Sequence, residues 1–347
     1  QIQHNDYCMR ILPMTKITTY DFIASNTRKT VWLMILFPIS LAAIVYLGIL
    51  FVSLAQAADI SNSVSKLSIL TIANQTAIYV LPIVSAIAIL WILISYYAGQ
   101  NFILSIAGAV ELTKQNAPKV VNIVENIAIT AGLPMPKVYS INDEGLNAFA
   151  TGRDPEHSCV VLTKGIINKL EIPELEGVIA HEMAHIGNRD IRLMLIMVVC
   201  ISFATVAAEI LLRFALTTRT NSSKNNKAVG IQTLLFVLAV SLYMYGCLVA
   251  PLIKLAVSRT REFQADATAA LITRNPQGLI SALEKISGNS MVKKLNDKQT
   301  MSPMCIANPL TAKKQKSLFA KVSGLFATHP PIEDRIKALQ AMDGYRK

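Results

Sequence analysis

A chain of 347 residues that is 52% hydrophobic and only 16% charged, with a mean hydropathy of +0.43, is too apolar for an ordinary soluble domain, where about a quarter of residues are charged. Its composition is that of a membrane protein. The formal charge of +11 comes with no nucleic-acid motif and no interleaved aromatic and basic patch, which excludes nucleic acid as partner and leaves basic loops beside anionic lipid. The five cysteines (Cys8, Cys159, Cys200, Cys247, Cys305) form no C-x-x-C pair, and Cys200 and Cys247 fall in apolar runs. That argues against a disulfide framework or a cysteine zinc site and fits a reducing compartment.

Residues 1–30 are a polar, mixed N-terminal segment with Arg10, Lys16, Arg28 and Lys29; the first residue is not Met, and Met9 and Met14 are possible starts. Residues 31–55 are uncharged and apolar, long enough to cross a bilayer and too long for a signal-peptide core. They predict transmembrane helix 1. Residues 59–75 read as a loop whose only basic residue is Lys66, and residues 77–97, closed by Trp91, Tyr96 and Tyr97, predict transmembrane helix 2. The basic residues ahead of the first span put the N-terminus in the cytoplasm.

Residues 98–190 have the texture of a water-soluble domain. Val120, Ile123, Val124, Ile127 and Ala128 form a helical stripe between Pro118 and Gly132. Residues 137–141, 147–151 and 158–163 read as short strands of a small sheet, whose edge could pair with an extended polypeptide. Two more apolar runs, 193–216 and 231–257, predict transmembrane helices 3 and 4. The loop between them carries Arg219, Lys224 and Lys227 without an acid, against the positive-inside expectation, and Glu209 and Arg213 sit in the third run. Run length favours four spans over a hairpin that does not cross. Residues 258–347 return to soluble character, with a Lys-rich stretch at 289–317 read as a loop or a flap over substrate.

The chemistry centres on His181-Glu182-Met183-Ala184-His185, an H-E-x-x-H sequence. Four helical residues turn through about 400°, so the two imidazoles lie on one face and can share a zinc ion. Glu182 beside them is placed to take a proton from the water such an ion activates. Pro173, Glu174 and Glu176 suit the start of that helix. A His₂-carboxylate site needs one more ligand. A third His in the H-E-x-x-H-x-x-G-x-x-H spacing is excluded, because position 188 is Asn and position 191 is Ile. Glu209 lies in an apolar run; Glu262, in Arg261-Glu262-Phe263-Gln264-Ala265-Asp266, is the better candidate, with Asp266 one turn on to accept the free N–H of a zinc-bound His. The alternative for Glu262 and Asp266 is a solvated face paired with Arg259 and Arg261.

The stretches 181–190, 258–266, Asn308-Pro309-Leu310 and 328–335 (Thr-His-Pro-Pro-Ile-Glu-Asp-Arg) together resemble the HtpX heat-shock membrane metalloproteases, whose relatives include CAAX prenyl-protein proteases. The likeness runs from about Met14 to the C-terminus. It implies an α-helical membrane protein with a mainly α zincin-like metalloprotease domain carrying a small β-sheet, split over 98–190 and 258–347. It also implies one Zn²⁺ per chain on His181, His185 and Glu262, with Glu182 as general base and Asp266 supporting a ligand. By the same resemblance Arg335 steadies the oxyanion and His329 approaches the metal, where residues alone suggest a surface ion pair and a turn. Asn147, Ala148 and Phe149 would lie along the substrate backbone. The implied protein is multi-pass in the cytoplasmic membrane with its site facing the cytoplasm, and its substrates are unfolded or damaged membrane proteins. The rivals are a CAAX-type prenyl-protein protease, an intramembrane protease, against which Glu174, Glu176, Arg189 and Asp190 argue, and a non-catalytic membrane scaffold.

Overall fold

The structure, a computed structural model, describes residues 19–59, 66–217, 232–246, 259–288, 305–306 and 330–344. His329, residues 218–231 and most of 289–317 lie outside the described residues. Among the described residues, three helices are long and apolar enough to cross a membrane: α1 (Thr19–Asp59), α2 (Lys66–Ala107) and α6 (Asp190–Thr217). At 1.5 Å per residue α1 and α2 are each about 60 Å long, twice a hydrocarbon core of about 30 Å. Both therefore overhang the bilayer.

The overhangs correct the sequence reading at two places. Helix α2 already begins at Lys66, inside the stretch read as a loop, and Asn74 within it accepts from the Tyr46 hydroxyl of α1 at 2.9 Å. Helix α2 also runs past residue 98 to Ala107, where Ile103, Leu104 and Ala107 pack on the sheet. Between the spans, Phe37 and Leu41 of α1, Ala88 and Ile92 of α2 and Ile196 and Cys200 of α6 share a core, while Trp32, Ile39, Tyr79 and Ile83 point outward. A short apolar helix, α7 (Gln232–Gly246), joins them through Leu242.

The sheet consists of β1 (Ala109–Leu112), β2 (Lys137–Ile141), β3 (Ala148–Asp154) and β4 (His157–Thr163) in the order β1-β2-β4-β3. The β2–β4 pair is parallel and the other two are antiparallel. Strand β1, four residues split by Glu111, has too little alternation to be read from sequence. The period of two sends Cys159 and Val161 of β4, with Phe149 of β3, toward α2 and α6. Val160 and Leu162, with Ala148 and Ala150, face a second core built on α3 (Pro118–Ala131) and α5 (Ile172–Gly187). Both faces are thus covered, which is why β4 reads as a nearly unbroken apolar run. A single turn, α4 (Lys164–Lys169), links β4 to α5.

Helix α5 is the buried axis of this domain. Its start is fixed by a capping box in which Glu174 receives the Glu171 backbone N–H at 2.8 Å. The same carboxylate takes Ser281 and Lys285 of α9 (Pro276–Gly288). Glycines let the two helices touch: a Cβ on Gly177 would stand 2.8 Å from the Leu279 nitrogen, and one on Gly278 2.4 Å from the Pro173 carbonyl. Helices α8 (Arg259–Thr273) and α10 (Ile332–Gly344) complete the wall around α5.

Candidate metal centre

His181 and His185 stand one turn apart on α5, rings edge to face, with their Nε2 atoms 3.2 Å apart. His181 Nδ1 lies 2.9 Å from Asp266 Oδ1 of α8, and His185 Nδ1 lies 2.9 Å from Asp190 Oδ2 at the start of α6. A carboxylate only accepts, so in each neutral ring Nδ1 carries the hydrogen and Nε2 presents its lone pair. Each carboxylate is backed by a guanidinium. Arg335 of α10 grips Asp266 through Nε and Nη2 at 2.8 and 2.7 Å, and Arg261 Nη1 donates to Asp190 at 2.8 Å.

Glu262 of α8 brings its Oε1 to 3.7 Å from His185 Nε2 and its Oε2 to 3.8 Å from His181 Nε2. The three side chains are buried, and their ligand atoms all lie within 4.8 Å of one another. A tetrahedral zinc with bonds of about 2.0–2.1 Å holds its ligand atoms roughly 3.3 Å apart, close to the spacing here. The charges fit as well. Glu182, Asp190, Glu262 and Asp266 face Arg261 and Arg335, all nearly inaccessible to solvent. Four carboxylates against two guanidiniums leave a formal −2, which a dication neutralises. While both rings are neutral neither Nε2 can donate, so their 3.2 Å approach calls for a cation between them, a proton or a metal ion.

The same field shows in the acid–base properties. Burial, reinforced by Arg335, pushes His181 down to about 4. Burial works against charge at His185 too, but Asp190 and the Glu262 carboxylate overcome it and lift this ring to about 9. Asp266, despite burial, is held at about 2 by Arg335. Burial raises Glu182 to about 7, with His185 and the Ala150 N–H opposing. A cavity of about 10 Å³ touches His181, Glu182, His185, Ala150 and Cys305, room for roughly one water.

Residues 114–343 match the family model described as Peptidase family M48. The chain belongs to peptidase family M48. It is 37% identical over 318 residues to a Protease HtpX homolog of Bacteroides fragilis, an alignment covering 91% of this chain and 96% of the relative. A Protease HtpX homolog of Listeria monocytogenes is 38% identical over 331 residues, covering 93% and 99%. The crystal structure of S. mikatae Ste24p is similar at a TM-score of 0.42 and 18% identity, over 76% of this chain and 58% of that one. As an M48 member the chain is a zinc metalloprotease, and the buried His181, His185 and Glu262 are its metal-site group.

Of the M48 chain's sequence-predicted residues, the structure gathers His181, Glu182, His185, Glu262, Asp266 and Arg335 at one point. Glu209, the competing third ligand, pairs with Arg213 on the exposed side of α6. Arg335 is not a surface residue: it is 0% exposed, and its Nη1 holds the Ile306 carbonyl at 3.0 Å. The Phe149 side chain is packed toward α2 and α6, so β3 can offer a substrate its backbone there but not that ring. Asn147 is buried, and the Ala148 carbonyl accepts the Ile306 N–H at 2.9 Å. Asp190, Arg261 and Cys305 were not assigned to the site from sequence; for Asp190 the signal was an acid five residues beyond His185. A second group, half-buried Asp154 with exposed Glu156 and His157, is accounted for by the β3–β4 turn, where Asp154 accepts the His157 N–H at 2.7 Å.

Arg335→Met leaves Asp266 charged and buried without its partner, so the variant is expected to be less stable by about 3–5 kcal/mol, read from unfolding of the detergent-solubilised protein. Wild-type stability in that variant would contradict a structural role for the pair.

Proposed function

We propose that this M48 metalloprotease cuts unfolded or damaged membrane proteins, in their segments on the cytoplasmic side of the membrane. The observation that carries the reading is the convergence of three ligand side chains, a buried carboxylate and a water-sized cavity beside the edge strand β3, next to the ends of three apolar helices. His181, His185 and Glu262 would hold the zinc ion, which would supply the Lewis acidity that activates water and polarises a scissile carbonyl.

The chain's own groups do the rest. Glu182 takes a proton from the attacking water as the new C–O bond forms, then delivers it to the amine as the C–N bond breaks. Burial raises the Glu182 carboxyl above its ordinary value, the direction that favours its taking up a proton. Asp266 and Asp190 keep both imidazoles turned with Nε2 inward. Arg335, which holds the Ile306 carbonyl through Nη1, would exchange that carbonyl for the substrate's and bear part of the oxyanion charge. The substrate backbone would add to the β3 edge, with residues 305–306 yielding their contact at Ala148.

Glu182→Gln is expected to retain zinc and lose cleavage of an unfolded test protein by about 10²–10⁴-fold, and chelation should abolish wild-type cleavage until zinc is returned. Equal cleavage by both proteins would overturn the mechanism. For the orientation, Ser63→Cys in a cysteine-free background should react with a membrane-impermeant reagent in intact cells, and Glu284→Cys only after permeabilisation. The reverse labelling pattern would invert the topology.

A further inference from the structure

The support of His185 does not end at Asp190. Asn26, on the overhang of α1 before its apolar run, is 2% exposed. Its Nδ2 donates to Asp190 Oδ1 at 2.7 Å and to the Asn188 carbonyl at 3.0 Å. These two acceptors flank Arg189, whose φ of 58° is left-handed, a conformation unfavourable for a non-glycine residue. That turn reverses the chain between α5 and α6 and brings Asp190 back to His185, five residues earlier. Asn26 therefore ties both ends of a strained turn whose product is the His185 Nδ1–Asp190 bond. Asp190 itself needs such partners: Oδ2 serves His185, and Oδ1 is shared between Arg261 and Asn26.

We infer that Asn26 is a positioning residue of the metal centre, so that the first membrane helix is a component of the zinc site as well as an anchor. An amide suits this position. It donates to a carbonyl and a carboxylate at once without adding charge to a cluster that already balances a dication. A leucine of similar size would fill the space and release both the turn and one lone pair of Asp190. Asp190 could then rotate, and the His185 ring with it.

The inference rests on the reading of His185 as a ligand. The test uses the full-length detergent-purified chain and measures zinc affinity by competition with a chromophoric chelator. The visible spectrum of the cobalt-substituted protein serves as a second readout, of ligand geometry. Asn26→Leu is expected to weaken zinc binding about tenfold, within the range for outer partners of metal ligands, and to shift the cobalt bands. Thr30→Val is the matched control: it is buried one turn further along α1, bonds only the Asn26 carbonyl at 2.8 Å, and should leave both readouts at wild type. If Asn26→Leu does not fold, Asn26→Ser, which is smaller and polar but too short to reach both acceptors, carries the same expectation. Wild-type affinity and spectrum in the Asn26 variant, or equal losses in Thr30→Val, would overturn the inference. His185→Ala separates the two failures: if it keeps zinc, the ligand reading falls and the inference with it. If it loses zinc while the Asn26 variant does not, only the inference falls.

Discussion

Everything near the active site is arranged so that two imidazoles on one helix turn point bare nitrogens at each other. Neutral histidine has no preference strong enough to do this by itself. Two buried carboxylates impose it, Asp266 on His181 and Asp190 on His185, each accepting an Nδ1 hydrogen. Buried carboxylates in turn need cations, and Arg335 and Arg261 supply them. The result is a pair of matching relays, guanidinium to carboxylate to imidazole, meeting at one point where Glu262 adds the last donor. The surplus negative charge at that point is what makes a divalent ion the natural occupant.

Such a construction has consequences for the fold. The relays draw on the consecutive helices α5 and α6 and on α8 and α10, which follow much later in the chain. None of these charges is tolerable in an apolar interior until its partner is in place. Close packing then holds the geometry. Glycines at 177 and 278 bring α9 against α5, and the sheet, covered on both faces, backs the metal helix along β3. The membrane helices belong to the same assembly. Helix α6 begins with a carboxylate of the relay, α2 runs on into the sheet, and the overhang of α1 reaches the α5–α6 turn. The metal centre therefore lies at the ends of the apolar helices.

Much of this was visible in the residues. The H-E-x-x-H spacing with its apolar flanks gave the metal helix, and Glu262 with Asp266 one turn later gave the second half of the site, because helical spacing turns sequence distance into a shared face. Strands β2, β3 and β4 were readable for a similar reason. What was hidden depended on tertiary contact. Arg335 looks like one charge on an amphipathic helix until Asp266 is found beside it. Asn26 looks like a polar residue ahead of a span. Helix α2 begins earlier than the apolar run read from the sequence, and Asn74 near its start is held by Tyr46 of the neighbouring helix. Cys305, read only as one of five unpaired cysteines, turns out to line the metal cavity.

Cysteine so close to the centre makes the donor set the point to test. X-ray absorption at the zinc edge, measured on the intact protein in detergent, reports the donor atoms directly. A shell of nitrogen and oxygen at about 2.0–2.1 Å with the multiple-scattering pattern of two imidazoles is the result expected of a His181–His185–Glu262 site. A sulfur shell at about 2.3 Å, or the signature of a single imidazole, would contradict it and bring Cys305 or another donor into the site.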